Sequence, residues 1–250
     1  MTHREILRDA RRELERVADA ERRYLDGHPY RLLHAYDPRA AVYTVRVEVA
    51  REIPVELPPL AATVSRLGVQ GLDALATALA GRRGAAGSAR FPIHDTLPEF
   101  AQRSRRSLAA MPDDAQATIE ALQPYHALGG FRNGALWLLR ELNATGPSRL
   151  TGALVGEPEL GVNTRRHVEI TGALRVAPGT FEHGTVIASV AARVAGADPK
   201  LDLYLRAAFA LAFASEMPAS GAPLVATLAT ILGHIEHVVV ARLEPLLRGG

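Results

Sequence analysis

Apolar residues recur along this chain with two periods, helical over most of its first two thirds and alternating in one early segment and again beyond residue 160. Over 3–25, Ile6, Leu14, Val17, Ala18 and Leu25 lie near one face and charged residues paired at i,i+4 occupy the rest, which predicts an amphipathic helix ended by Gly27-His28-Pro29. Tyr30 to Tyr36 and Val42 to Val49 flank Asp37-Pro38-Arg39-Ala40. In the second run Tyr43, Val45, Val47 and Val49 alternate with Thr44, Arg46 and Glu48, the pattern of a β-hairpin with one buried face. Pro54, Pro58 and Pro59 break that pattern. Leu60, Val64, Leu67, Leu72, Leu75 and Leu79 then return to helical spacing, with Gly68 and Gly71 small enough for a neighbouring helix to come close.

Gly81 ends this second helix and opens a loop of small residues to Arg90, after which Phe91-Pro92-Ile93 reads as a packed anchor. Two short helices follow over 97–110 and 113–122, the second opened by Pro112 and Asp113. Next comes 131–151, which holds the only Trp. Its core, Ala135 to Asn143, is apolar in nearly every direction at helical spacing, so a helix buried on most sides is predicted. Arg140, Glu141 and Asn143 must then be paired or face a cleft.

A short helical turn is expected from Pro147 to about Val155, and the period changes at Glu157-Pro158-Glu159-Leu160-Gly161. Strands are predicted over 167–176, 183–194 and 203–213. The alanines of the last favour helix, but Leu203, Leu205, Ala207, Phe209, Leu211 and Phe213 alternate without a break, and Pro199 and Pro218 bound the run at strand length. The final element, 222–247, carries Leu224, Leu228, Ile231, Leu232, Ile235, Val239 and Leu246 on one stripe of a long helix. The expected architecture is a single α+β domain over 1–250: a helical core at about 54–156, a β-rich part at about 160–215 with the hairpin at about 30–53, and the C-terminal helix. The hairpin is expected to join the later strands in one antiparallel sheet.

The chain has 250 residues, 48% of them hydrophobic and 22% charged, as in ordinary globular proteins. Cysteine is absent, which excludes disulfides, thiolate metal sites and a Cys nucleophile. Basic residues exceed acidic ones by only 29 to 27, and Lys200 is the sole lysine, so the basic pI of 9.2 argues weakly for nucleic acid as a partner. The charged N-terminus lacks a signal-peptide core and no window suggests the roughly 18 apolar residues of a membrane span, so a soluble, cytoplasmic protein without a membrane partner is expected.

Signatures of chemistry are sparse. His234 and His237 are spaced to share a metal, but the stripe of the last helix puts both on its outer face, and no third ligand is nominated. Gly81, Gly84 and Gly87 with Arg82, Arg83 and Arg90 lack the strand and Gly-Lys-Ser/Thr of a phosphate loop. Ser148, in Gly146-Pro147-Ser148-Arg149-Leu150, lacks a nucleophile elbow. Arg103, Arg105 and Arg106, with Ser104 and Ser107, read as a solvated face. Arg23 and His28 fit the Arg-x4-6-His spacing of helical HEPN-type ribonucleases, a spacing that chance supplies in a chain with 9 His and abundant Arg. No cofactor is expected. The remaining candidate cleft is Arg140, Glu141, Asn143, Ser148 and Arg149, as a polar site or as helix caps and an ion pair.

Phe91-Pro92-Ile93, Leu122-Gln123-Pro124-Tyr125, Leu136-Trp137-Leu138-Leu139, Glu141-Leu142-Asn143, Arg149 and Phe181-Glu182 stand in the order found in a family of mostly actinobacterial hypothetical proteins, which this chain resembles. Where that family has Asp-Lys-His before its Arg, this chain has Gly146-Pro147-Ser148, and its second helix keeps Leu72-Asp73 without the family's His-Asn pair. The resemblance implies the same α+β plan and an eroded polar motif, and it transfers no activity. Three functions remain as expectations: a non-catalytic binding or interaction module that self-associates; a HEPN-like RNA-processing or toxin-type ribonuclease using Asn143, Arg149 and a His; or a small-molecule-binding protein.

Overall fold

The structure is a computed structural model and describes residues 1–82, 84, 87–127, 130, 132, 134–163, 168–173, 175–177, 179–194 and 202–248. It is α+β, as the periods predict. Helix α1 (His3–Asp26) begins in a capping box: Thr2 Oγ1 accepts the Glu5 N–H at 3.3 Å, and Glu5 Oε2 accepts the Thr2 N–H at 2.8 Å. It buries Ile6, Leu7, Ala10, Leu14, Val17 and Tyr24 against α2 (Leu57–Gly81). A Cβ on Gly71 would lie 2.7 Å from Leu7 Cδ2, and one on Gly68 2.9 Å from Leu139 Cδ1, so both glycines mark the close approaches anticipated for them.

Between them, β1 (Tyr30–Asp37) and β2 (Val42–Val49) form the hairpin. The predicted helix over 97–110 is broken at Ser104 into α3 (Leu97–Arg103) and α4 (Arg105–Ala109), followed by α5 (Asp113–Ala121) and α6 (Ala135–Thr145). Only Leu136, Leu139 and Leu142 of α6 are fully buried. They form one stripe against α2 and the last helix, so α6 is not enclosed on most sides as expected.

The chain after α6 departs from the expected turn. Gly146, at φ +66°, ends the helix, and β3 (Leu150–Asn163) starts at once, so the helical part ends near residue 145 rather than 156. The predicted strand over 167–176 is two short ones, β4 (Val168–Ile170) and β5 (Arg175–Val176); residues 167 and 174 lie outside the described set. β6 (Gly179–Phe181) was not anticipated, and β7 (Val186–Val194) starts three residues later than predicted. β8 (Asp202–Phe213) is the strand its alternation indicates.

These strands make two antiparallel sheets instead of one. The first has the order β1-β2-β7-β4, with β5 also pairing to β7; the second is β6-β3-β8. Tyr43, Val45 and Val47 of the hairpin sheet pack with Phe181 of the second sheet, whereas Leu211 and Phe213 join the helical core. Tyr30 touches both clusters, and its ring meets Phe181 edge-on at 4.9 Å.

The last helix, α7 (Leu224–His234), runs into a π-helical segment (Ile235–Val240), then short α-helical (Ala241–Leu243) and 3-10 (Glu244–Leu247) turns. Contrary to the expectation from sequence, Leu224–Leu247 is long and apolar enough to cross a membrane by length and composition, with mean hydropathy 1.7 over its most apolar window and 33% of that window buried. His234, Glu236 and His237 interrupt its apolar run. Its stripe of Leu228, Leu232, Ile235 and Val239 belongs to the helical core, and Arg11 of α1 pairs with Glu236 at 2.5–3.0 Å.

Candidate functional site

The residues singled out near α6 separate into two groups. In the first, Arg140 donates to Glu141 Oε1 at 2.8 and 3.0 Å, to Asp95 Oδ2 at 3.0 Å and to the Ile93 carbonyl at 3.2 Å. Asp73 of α2 accepts the Phe91 N–H at 2.8 Å. The buried Gln123 amide accepts the His94 N–H at 3.0 Å and donates to the Pro92 carbonyl at 2.9 Å and the Ile119 carbonyl at 3.0 Å. Three separated motifs, Leu72-Asp73, Leu122-Gln123-Pro124 and the Arg140-Glu141 pair, thus converge on the backbone of 91–95. That segment has no helix or strand to satisfy its peptide groups, and buried polar backbone must find partners. The motifs fasten the anchor, and their polar atoms are consumed in doing so.

Asn143 and Ser148 do not join this network. Both are exposed; the α6 C-terminus is closed by Gly146 rather than by Asn143, and Ser148 Oγ reaches only the Met217 sulfur at 3.9 Å. The five-residue cleft expected from sequence is therefore not formed as one unit.

Arg149 belongs to the second group, an open cleft of about 400 Å³ where the starts of β3 and the 182–185 turn face the 214–216 segment after β8. Its walls carry Arg149, Thr151, Thr180, Glu182 and Thr185, with Ser215 and Glu216 opposite. Arg149 pairs with Glu216. Thr151 Oγ1 donates to the Phe181 carbonyl at 3.0 Å, Thr185 Oγ1 accepts the Glu182 N–H at 2.9 Å, and Ser215 Oγ donates to Glu216 Oε2 at 2.9 Å. The Ser215 hydroxyl chiefly, with a smaller contribution from Arg149, holds the Glu216 carboxyl below its ordinary range. Two carboxylates and one guanidinium leave the lining one negative charge in excess. Glu182 is the charge without an ion-pair partner among the described residues. No histidine lines this cleft among the described residues, and Asn143 is outside it.

The other sequence candidates are scattered. His237 is exposed as expected, but His234 is half-buried in a second cavity, where burial and then Arg242 lower its pKa. Among the described residues no group of three or more His, Asp or Glu is placed to hold a metal. Arg23 lines a shallow cavity between α1 and the start of α2 that does not include His28. Gly84 and Gly87 adopt positive φ in the loop, Arg82 donates to the Leu246 carbonyl, and residues 83, 85 and 86 lie outside the described set. Ser104 is buried and not part of a solvated face; its hydroxyl lacks a hydrogen-bond partner, while Arg103 is exposed.

Sequence reasoning missed Glu182, Glu216 and the threonines of the cleft, since they come from three segments that only the second sheet joins. The one signal was the pair Phe181-Glu182 among the motifs of the resemblance. No family model, curated protein or solved structure matches this chain.

Proposed function

We propose that this chain is a binding module whose site is the Arg149 cleft, and that the ligand is a small polar molecule bearing a cationic amine and hydroxyls. Glu182 carries the proposal: it is a carboxylate without an ion-pair partner in a concave site whose only cation is neutralised by Glu216. An amine placed there gains a charge-assisted hydrogen bond, and the surrounding hydroxyls offer both donors and acceptors to a polyol. Electrostatics on an open surface steer and orient a ligand more than they tighten it, so modest affinity is expected. No catalytic step is assigned: the one hydroxyl beside a carboxylate, Ser215 on Glu216, faces a base already paired with Arg149 and held below its ordinary range, and no histidine for proton transfer lines the cleft among the described residues.

Calorimetric titration with an amino sugar such as glucosamine tests this reading. Binding is expected, weakened about ten-fold in Glu182→Gln, with the neutral parent sugar binding more weakly. Equal affinity for the charged and neutral sugars, or for the wild type and Glu182→Gln, contradicts it.

A further inference from the structure

A second cavity, of about 200 Å³, lies between the C-terminal helix and the chain from α5 to α6. Leu122, Pro124, Leu136 and Val238 give it apolar walls, and His126, His234 and Arg242 supply its ionisable groups. Among the described residues every ionisable group in its lining is basic. Gln123 also borders it, but its amide is already committed to the 91–95 anchor and Ile119. Neither His234 nor Arg242 has a hydrogen bond or ion pair among the described residues.

The helix explains how these groups meet. His234, Val238 and Arg242 recur every fourth residue, and the π-helical segment Ile235–Val240 lies between the two polar ones. Such segments, closed by i→i+5 hydrogen bonds, are rare and often occur at functional sites. Over the same turns Glu236 faces α1 and pairs with Arg11, and His237 is exposed, so the acidic residue of this segment is turned away from the cavity.

We infer that this cavity binds a small organic carboxylate with an apolar body, the carboxylate on Arg242 and His234 and the body against Leu122, Leu136 and Val238. An apolar pocket with a few convergent polar groups suits such a ligand, and a guanidinium recognises a carboxylate through two parallel hydrogen bonds.

The test is benzoate against benzamide, which has nearly the same shape without the charge. Benzoate is expected to bind in calorimetry and to raise the Tm, while benzamide has little effect. Arg242→Ala, at an exposed position that leaves the core intact, is expected to weaken benzoate about ten-fold or more; Arg39→Ala in the hairpin turn leaves it unchanged. A wild type that ignores benzoate at millimolar concentration, that takes benzamide as well, or that keeps its affinity in Arg242→Ala overturns the inference. Benzoate has no amine, so these outcomes are independent of those at the Arg149 cleft.

Discussion

Glu21 on α1 accepts the backbone N–H of Leu211 on β8 at 2.6 Å, across 190 residues of sequence. Leu211 pairs through its other edge with Gly152 of β3, so the Glu21 carboxylate caps an outer strand of the three-stranded sheet and ties it to the helical layer. Unpaired edge groups invite pairing with another chain, and covering them is the usual remedy. Glu21 is buried, and removing its side chain leaves the Leu211 N–H without a partner. Glu21→Ala is expected to cost about 1–3 kcal/mol in denaturant unfolding; an unchanged midpoint contradicts the cap.

Burial raises the Glu21 carboxyl above its ordinary 4.5, with the Leu211 hydrogen bond acting the other way. A carboxyl that holds its proton more tightly when folded adds stability below the ordinary value and loses it as pH rises through the raised one. The amide oxygen of Glu21→Gln also accepts from Leu211 but does not ionise. Its Tm is therefore expected to gain on the wild type as pH climbs from 4.5, and thermal unfolding of both proteins between about pH 4 and pH 8 reads the difference. A constant gap contradicts the assignment.

Gly152 is required by the aromatic cluster beside it. A Cβ there would lie 2.5 Å from Phe181 Cε2 and 2.8 Å from the Tyr30 hydroxyl. Neither ring can withdraw easily, because Tyr30, Phe181 and Phe209 meet one another at 4.9–5.6 Å. Gly152→Ala is expected to destabilise by about 1–3 kcal/mol. The Tyr30 hydroxyl is buried beside the Tyr24 hydroxyl, which already donates to the Arg51 carbonyl, and makes no well-formed hydrogen bond of its own, so Tyr30→Phe should leave stability unchanged or raise it by up to about 1 kcal/mol. Chemical denaturation measures both changes, which should differ in size and direction.

Gln123 should be the most sensitive polar residue of the 91–95 anchor. Gln123→Ala removes three hydrogen bonds and strands the His94 N–H and Pro92 carbonyl, for a cost of about 2–3 kcal/mol. Hydrogen exchange at His94 should accelerate in the variant while that at Val45 and Val47 of the hairpin stays slow. Uniform acceleration in both places contradicts a local role.

The helices, hairpin and last strand were legible because each buries one face, which leaves its period in the sequence. The β3 segment was not: Gly152, Ala153 and Leu154 are successive and all buried, as befits the middle strand of β6-β3-β8, so no alternation survives. The division into two sheets depends on pairings such as Thr44 with Ser189 and Gly152 with Leu211, which local pattern does not encode. Glu21 left a trace, since it falls between Val17 and Tyr24 on the buried stripe of α1. Of the cleft, Arg149 alone stood among the candidate site residues of the sequence. Its companions are near it only in space.

The central claim, that the Arg149 cleft binds a ligand, is tested most directly by amide chemical-shift mapping during a glucosamine titration. The predicted result is saturable movement of resonances at 149–151, 180–185 and 214–216, moved to about ten-fold higher glucosamine concentration in Glu182→Gln while that variant's spectrum stays folded. Shifts confined to other surfaces, or saturation of the same resonances at an unchanged concentration in Glu182→Gln, would contradict it.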